Sequence, residues 1–350
     1  MSKAVLVRLN STTPMGQQLY ESELLIALRG VADERWEFRD CEVVPMRSTR
    51  ESGRRLPLRV AWSMPYQLAA GLGRFAYGRV DLVHRLDLRC PPGRLRDEIL
   101  TVHDLAPLRY DDEGTIPRWA GRSARAARVV LCPSTFAAAE VRELLGVVRT
   151  EVVPNGVASG LADVTPFSDA ELATFGLRRP LVLHAGGATR RKNLQLLASA
   201  WTRVACAQPD AMLALCGPSQ RRRDELFARV PRTRRLGFLG ANHLPRLMRS
   251  ASVVVIPSLY EGFGLPALEG MAAGVPVVAV ARGALPEVCG DAAQLVPPDA
   301  SAFADAISRA LAGGDDVKRL TEAGRARAAS FSWERTARET LAVYERVLGV

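Results

Sequence analysis

At 350 residues, 48% apolar and 24% charged, the chain has the make-up of a globular protein long enough for two domains, each with its own core. No apolar run approaches the roughly 20 residues that a membrane-spanning helix needs, and the N-terminus lacks the apolar stretch of a signal peptide, so a cytoplasmic protein is expected. The formal charge of +10 rests on arginine, with Lys3, Lys192 and Lys318 the only lysines; no nucleic-acid motif or stacking-aromatic set accompanies it, and a nucleic-acid partner is set aside. Six scattered cysteines show neither a disulfide framework nor zinc-ligand spacing.

Short β-branched or Leu-rich runs alternate with longer amphipathic stretches, the pattern of βαβ units around a parallel sheet. In chain order, strands are expected at residues 4–8, 80–84, 99–103, 129–133 and 151–154, with helices at 17–29 and 137–145. Residues 46–55, M-R-S-T-R-E-S-G-R-R, read as a polar basic loop, and 158–179 as a linker with a short helical piece at 169–175. Further strands are expected at 180–184, 211–217, 253–257 and 275–280. Helices are expected at 193–207, 244–249, 266–273, 302–312 and 316–330, and the tail after Phe331 reads as one more helix.

Residues 258–269, S-L-Y-E-G-F-G-L-P-A-L-E, carry the strongest chemical signal. Gly262 and Gly264 let the backbone approach a ligand, Pro266 suits the first helical position, and Gly274 suits the stop. The unpaired N–H groups of a helix start form an anion site, here flanked by the carboxylates of Glu261 and Glu269. That combination suits a phosphate with sugar hydroxyls on either side. Lys192, after the Gly186-Gly187 turn, adds a cation at a second helix start. His103 and Asp104 stand where a strand ends, the ligand-binding end of an open α/β sheet. An Asp that opens a loop also satisfies local N–H groups, so Asp104 has a structural reading beside the chemical one. His84, His184 and His243 read as structural, with His184 at a strand end where a ligand would pass.

The segment resembles the E(x)7E signature of the retaining glycosyltransferases of family 4. The resemblance extends through H-D-L-A-P-L (103–108), V-V-P-N-G-V (152–157), R-R-K-N-L (190–194), F-L-G (238–240), R-L-M-R-S-A-S-V-V-V-I-P-S (246–258), G-V-P-V-V-A-V-A-R-G-A-L-P-E-V (274–288), G-D-A-A-Q-L-V-P-P-D (290–299) and F-S-W-E-R-T-A-R-E-T (331–340). It implies an α/β protein of GT-B fold, with two Rossmann-like domains whose parallel sheets face a central cleft. Residues 1–160 would form the acceptor-side domain, 161–330 the nucleotide-sugar domain, and 331–350 a helix crossing back to the first.

The resemblance also implies roles. Glu269 would bind ribose hydroxyls, and Glu261 would stand on the sugar side. Phe263, Gly264 and Leu265 would donate backbone N–H groups. Lys192 with Arg191 would bind the diphosphate, Gly16 would lie near it, and His103 beside Asp104 would face the transferred sugar. Two departures stand out. Gly186 occupies a position where many family members carry Arg, leaving Arg190 or Arg191 to supply the charge, and the family's Gly-Gly loop before the first helix is reduced to Gly16.

The implied activity is retaining, metal-independent transfer of a hexosyl group from a nucleoside-diphosphate sugar to a glycan or glycolipid hydroxyl, without a cofactor. L-P-E-V around Glu287 points to the mannosyl- and rhamnosyltransferase branch and to GDP-mannose as donor. Two alternatives remain open: a non-catalytic nucleotide-sugar-binding scaffold and a UDP-sugar epimerase of the same fold. Arg122, Arg125 and Arg128, at helical spacing beside Trp119, read either as a solvated face or as a peripheral contact with anionic lipid at the inner membrane face.

Overall fold

The computed structural model describes residues 2–9, 16–48, 53–93, 96–240 and 242–350. Residues 13–15 of the stretch before Gly16, and 49–52 of the basic loop, lie outside the described residues. The chain forms two compact units, Met1–Gly156 with Trp333–Val350, and Val157–Ser332. Each is a Rossmann-like layer of parallel strands with helices, as the alternating pattern predicts.

In the first unit the strands are β1 (Ser2–Leu9), β2 (Trp36–Pro45), β3 (Arg54–Leu56), β4 (Leu82–Arg85), β5 (Glu98–Thr101), β6 (Val129–Cys132) and β7 (Thr150–Val152). They pair in parallel in the order β3-β2-β1-β4-β5-β6-β7. Ala4–Val7 are fully buried, as an apolar run covered on both faces should be. Strand β2 was not expected: Glu37, Arg39, Asp40 and Glu42 interrupt its apolar residues, yet it pairs with β1 along its whole length. The helices Leu58–Ser63 and Tyr66–Tyr77 were also not expected, because Gly71 and Gly73 weaken the second. Gly73 has a packing reason: a Cβ there would lie 2.3 Å from the Pro92 carbonyl oxygen.

The C-terminal helix Trp333–Leu348 belongs to this unit and buries Trp333, Ala337, Val343 and Tyr344 against Leu24, Leu28 and Leu82. Tyr344 Oη lies 2.6 Å from His84 Nδ1, and His84 Nε2 lies 2.7 Å from Thr101 Oγ1. Burial pushes His84 down to about 3, so this imidazole is neutral.

The second unit holds β8 (Leu181–Ala185), β9 (Met212–Cys216), β10 (Thr233–Gly237), β11 (Val253–Ile256), β12 (Val277–Val280) and β13 (Gln294–Val296). The order is β10-β9-β8-β11-β12-β13, all parallel. Trp201, Val204, Leu213, Val255, Phe303 and Ile307 fill one core face. Strand order reverses between β8 and β11, so the loops leaving their carboxyl ends open a crevice at that point. Among the described residues, no helix is long and apolar enough to cross a membrane.

Candidate active site

The loops that follow β8 and β11 are stitched together. Leu259 N–H donates to the Arg191 carbonyl at 2.8 Å, Asn193 Nδ2 to Pro257 O at 3.2 Å, and Arg191 Nη1 to Tyr260 O at 3.2 Å. Asn193 holds a left-handed conformation (φ 50°), which Asn tolerates better than most residues. The stitching brings three charges together. Lys192 Nζ lies 2.6 Å from Glu261 Oε1, and Arg191 Nη1 lies 3.1 Å from Glu261 Oε2. Lys192 is 8% exposed and Glu261 6%. Burial alone would push the Glu261 carboxyl up, but the Lys192 ammonium and Arg191 guanidinium hold it at about 2. Glu261 is therefore ionised between its two cationic partners. Gly283 presses on Glu261 from behind, where a Cβ would meet its N and O at 2.8 Å.

The helix Leu265–Ala272 starts at the same place. Gly264 is its N-cap at φ 104°, and a Cβ there would lie 2.8 Å from Leu285 Cδ2, so both conformation and space require glycine. Leu265 is thus the first helical residue and Pro266 the second, one later than expected. Among the described residues, the N–H groups of Phe263, Gly264 and Leu265 meet no acceptor. Phe263 is buried, its ring edge-on to Phe331, so it offers a ligand its amide rather than its ring. The carboxylate of Glu269, half-buried on this helix, forms no ion pair or hydrogen bond among the described residues. Burial pushes its carboxyl up to about 7.

Other predicted residues fall in the first unit. Strand β5 ends at Thr101, two residues before His103. His103 Nε2 lies 3.2 Å from the Leu86 carbonyl, which accepts only, so the proton sits on Nε2 and Nδ1 keeps its lone pair. The Tyr20 ring packs edge-on at 4.5 Å, and burial lowers the His103 pKa. Asp104 Oδ1 accepts from Ala106 N–H at 3.1 Å, the local turn role. Gly16 is the exposed first residue of the helix Gly16–Val31. In the arginine run, Arg122 stacks over Tyr66 at 4.8 Å and Arg125 donates to Leu145 O at 2.7 Å.

Around the β8 loop, His184 stands at the strand end where the sequence put it, and Gly217 and Arg223 escaped the sequence reading. His184, 2% exposed, lies with Nδ1 3.3 Å from Val255 O and leaves Nε2 buried without a partner among the described residues. Burial pushes it down to about 4. Gly217, at φ 133°, comes so close to the β8 loop that a Cβ would stand 2.0 Å from Gly186 O. Arg223 is 1% exposed and donates to the carbonyls of Gly186 (3.1 Å), Cys216 (3.2 Å), Gly217 (2.8 Å) and Pro218. The C-G-P after β9 was the one visible hint; R-R-R at 221–223 does not say which arginine turns inward. Among the described residues, no cluster of three His, Cys, Asp or Glu that could hold a metal ion is present.

The sequence profile of the family described as Glycosyl transferases group 1 matches residues 179–313, which contain this whole crevice. An MMP alpha-(1->4)-mannosyltransferase of Mycolicibacterium hassiacum is 46% identical over 115 residues, 31% of this chain and 28% of that protein's length. The O-antigen chain mannosyltransferase B of Escherichia coli is 31% identical over 274 residues, 73% of this chain and 71% of the relative. Among solved structures, the sucrose-phosphate synthase of Thermosynechococcus elongatus superposes with a TM-score of 0.78 at 24% identity, covering 100% of both chains. Anabaena HepE in complex with UDP and glucose gives 0.74 at 17% identity, covering 99% of this chain and 100% of that one. The likeness to these structures establishes the GT-B fold.

Proposed function

The chain belongs to the group 1 glycosyltransferases, and from that premise we propose that it moves a hexosyl group, with retention and without a metal, from a nucleoside-diphosphate sugar to a hydroxyl of a glycan or glycolipid. The observation that carries the reading is the set of three acceptorless amides at Phe263, Gly264 and Leu265, adjoining the Lys192–Glu261–Arg191 trio and an unpartnered Glu269. Amides at a helix start beside the Lys192 and Arg191 side chains suit the diphosphate. Glu269 suits the ribose diol, since one carboxylate accepts from two vicinal hydroxyls. Glu261 holds Lys192 and Arg191 in place until the anion arrives, and its remaining lone pairs face the sugar.

The acceptor hydroxyl attacks the anomeric carbon on the side from which the diphosphate leaves. The carbon–oxygen bond to phosphate breaks, the glycosidic bond forms, and the acceptor's proton passes to the departing phosphate oxygen. Lys192 and the amides stabilise that leaving charge. His103 Nδ1, a lone-pair acceptor in the neutral ring, would take a hydrogen bond from a hydroxyl, with Asp104 shaping the turn behind it. GDP-mannose is the first donor to test, supported by the two mannosyltransferase relatives; UDP-glucose is the second, supported by the fold likeness to HepE.

A thermal-shift panel of GDP- and UDP-sugars tests the reading. The true donor at ~100 times its dissociation constant adds about 2.7 kcal/mol of apparent stability, and slow release of nucleoside diphosphate should accompany it. Binding of one donor without any release would favour the scaffold, and no shift with any nucleotide sugar would defeat the reading.

A further inference from the structure

At Gly186 the β8 loop carries no side chain of its own, and a cation approaches it from below. Arg223, on the helix Arg221–Leu226, sends its guanidinium under the Gly186 turn and spends four hydrogen bonds on the carbonyls of Gly186, Cys216, Gly217 and Pro218. It forms no ion pair among the described residues, and its Nε is buried without a partner. A guanidinium taken out of water without a carboxylate is unusual, because burial of a lone charge is costly.

The hydrogen bond to Gly186 O has a second consequence. In a planar trans peptide the carbonyl and the following N–H point in opposite directions. With Gly186 O drawn to Arg223, the Gly187 N–H is turned away from it. Gly187 is buried, and its N–H has no acceptor among the described residues. The flanking amides are already used: Gly186 N–H donates to Cys216 O at 2.9 Å and Ala188 N–H to Gln220 Oε1 at 2.9 Å. Where a Gly186 side chain would begin, the space is faced by His184 Nε2 at 3.5 Å and by Lys192 Cε at 4.0 Å. A buried, unpartnered imidazole nitrogen, an ammonium stem and an oriented amide surround the room left by the missing side chain.

Building on the donor site proposed above, we infer that Arg223 is a positioning residue for the donor diphosphate: it aims the Gly187 N–H at a phosphate oxygen and supplies from beneath the positive charge that Gly186 lacks. Gly217 is the glycine that lets the two loops close on each other for this contact.

The test compares calorimetric affinities for GDP and UDP with those for guanosine and uridine. In Arg223→Gln, which removes the charge and leaves two N–H donors, the tighter-binding diphosphate should lose about tenfold or more while its nucleoside stays within twofold. Arg223→Lys should recover part of the loss. Diphosphate affinity within twofold of the unaltered protein, or equal losses for diphosphate and nucleoside, overturns the inference and leaves only a structural cross-link. Should Arg223→Gln not fold, [15N]glycine-labelled unaltered protein decides: the Gly187 amide, assigned by its disappearance in Gly187→Ala, should move downfield with the diphosphate and not with the nucleoside. A resonance that the diphosphate leaves in place overturns it equally. If the unaltered protein binds neither diphosphate, the proposed donor site itself is wrong; if it binds one and the Arg223 variants do not differ, only this inference falls.

Discussion

Glu269 is a half-buried carboxyl held at about 7 with nothing to pair with among the described residues. Such a group opposes stability once ionised and contributes to function only when a diol arrives. Its folded pKa lies above the unfolded value, so the protein loses stability as pH rises from about 4.5 to 7. Glu269→Gln should therefore melt higher than the unaltered protein at pH 8, with a smaller gain at pH 5, and should bind the nucleotide about tenfold to a hundredfold more weakly, as for charged hydrogen bonds of ~1.5–3 kcal/mol. Equal melting at both pH values would contradict the assigned environment. Gly264→Ala meets two penalties, the φ of 104° and the 2.8 Å approach to Leu285. It should cost about 2–4 kcal/mol in urea denaturation, combining ~1–2 kcal/mol for the left-handed conformation with overpacking.

At the scale of elements, the helix Trp333–Leu348 does for the first unit what local sequence cannot. Its charged residues hide an apolar stripe of Trp333, Ala337, Val343 and Tyr344, and the stripe completes a core laid down in the first half of the chain, as the 260-residue separation of His84 and Tyr344 illustrates. Tyr344→Phe leaves the buried His84 Nδ1 without its 2.6 Å partner and should cost about 1–3 kcal/mol, the range for an orphaned buried polar group. Unchanged urea midpoints would show that the contact adds nothing. Strands β1, β8, β11 and β12 were legible because they are continuous apolar runs. Strand β2 was not, because a strand whose charges alternate with its apolar side chains looks like surface until its neighbour is known.

For the molecule as a whole, the perturbed groups divide into two sets with opposite pH signatures. His84 (about 3), His184 (about 4) and Glu261 (about 2) all have folded pKa values below their unfolded ones. Their stability is present at higher pH and is lost as pH falls, below 6.5 for the imidazoles and below 4.5 for Glu261. Glu269 (about 7) and Glu21 (about 8, raised first by burial and then by Asp87) act in the opposite sense, losing stability as pH rises from 4.5. Between 4.5 and 6.5 the two sets oppose each other. The melting temperature should therefore form a plateau at mildly acidic pH, fall steeply below 4.5 and decline again toward pH 8, although the sequence pI is 9.8. Melting temperatures that climb steadily to pH 8 would refute this balance.

By itself the sequence determined the α/β alternation, the two-unit organisation, and the residues whose chemistry shows in their own identity: Lys192, Glu261, Glu269 and the glycines around them. Those signals are local, because periodicity, turn chemistry and charge spacing all act within a few residues. Only the tertiary structure decided that Glu261 is held by Lys192 and Arg191, and that Arg223 turns inward while the arginines beside it face solvent. Each of those outcomes depends on which carbonyl, carboxylate or glycine from a distant strand arrives next to the side chain, and chain order does not carry that proximity.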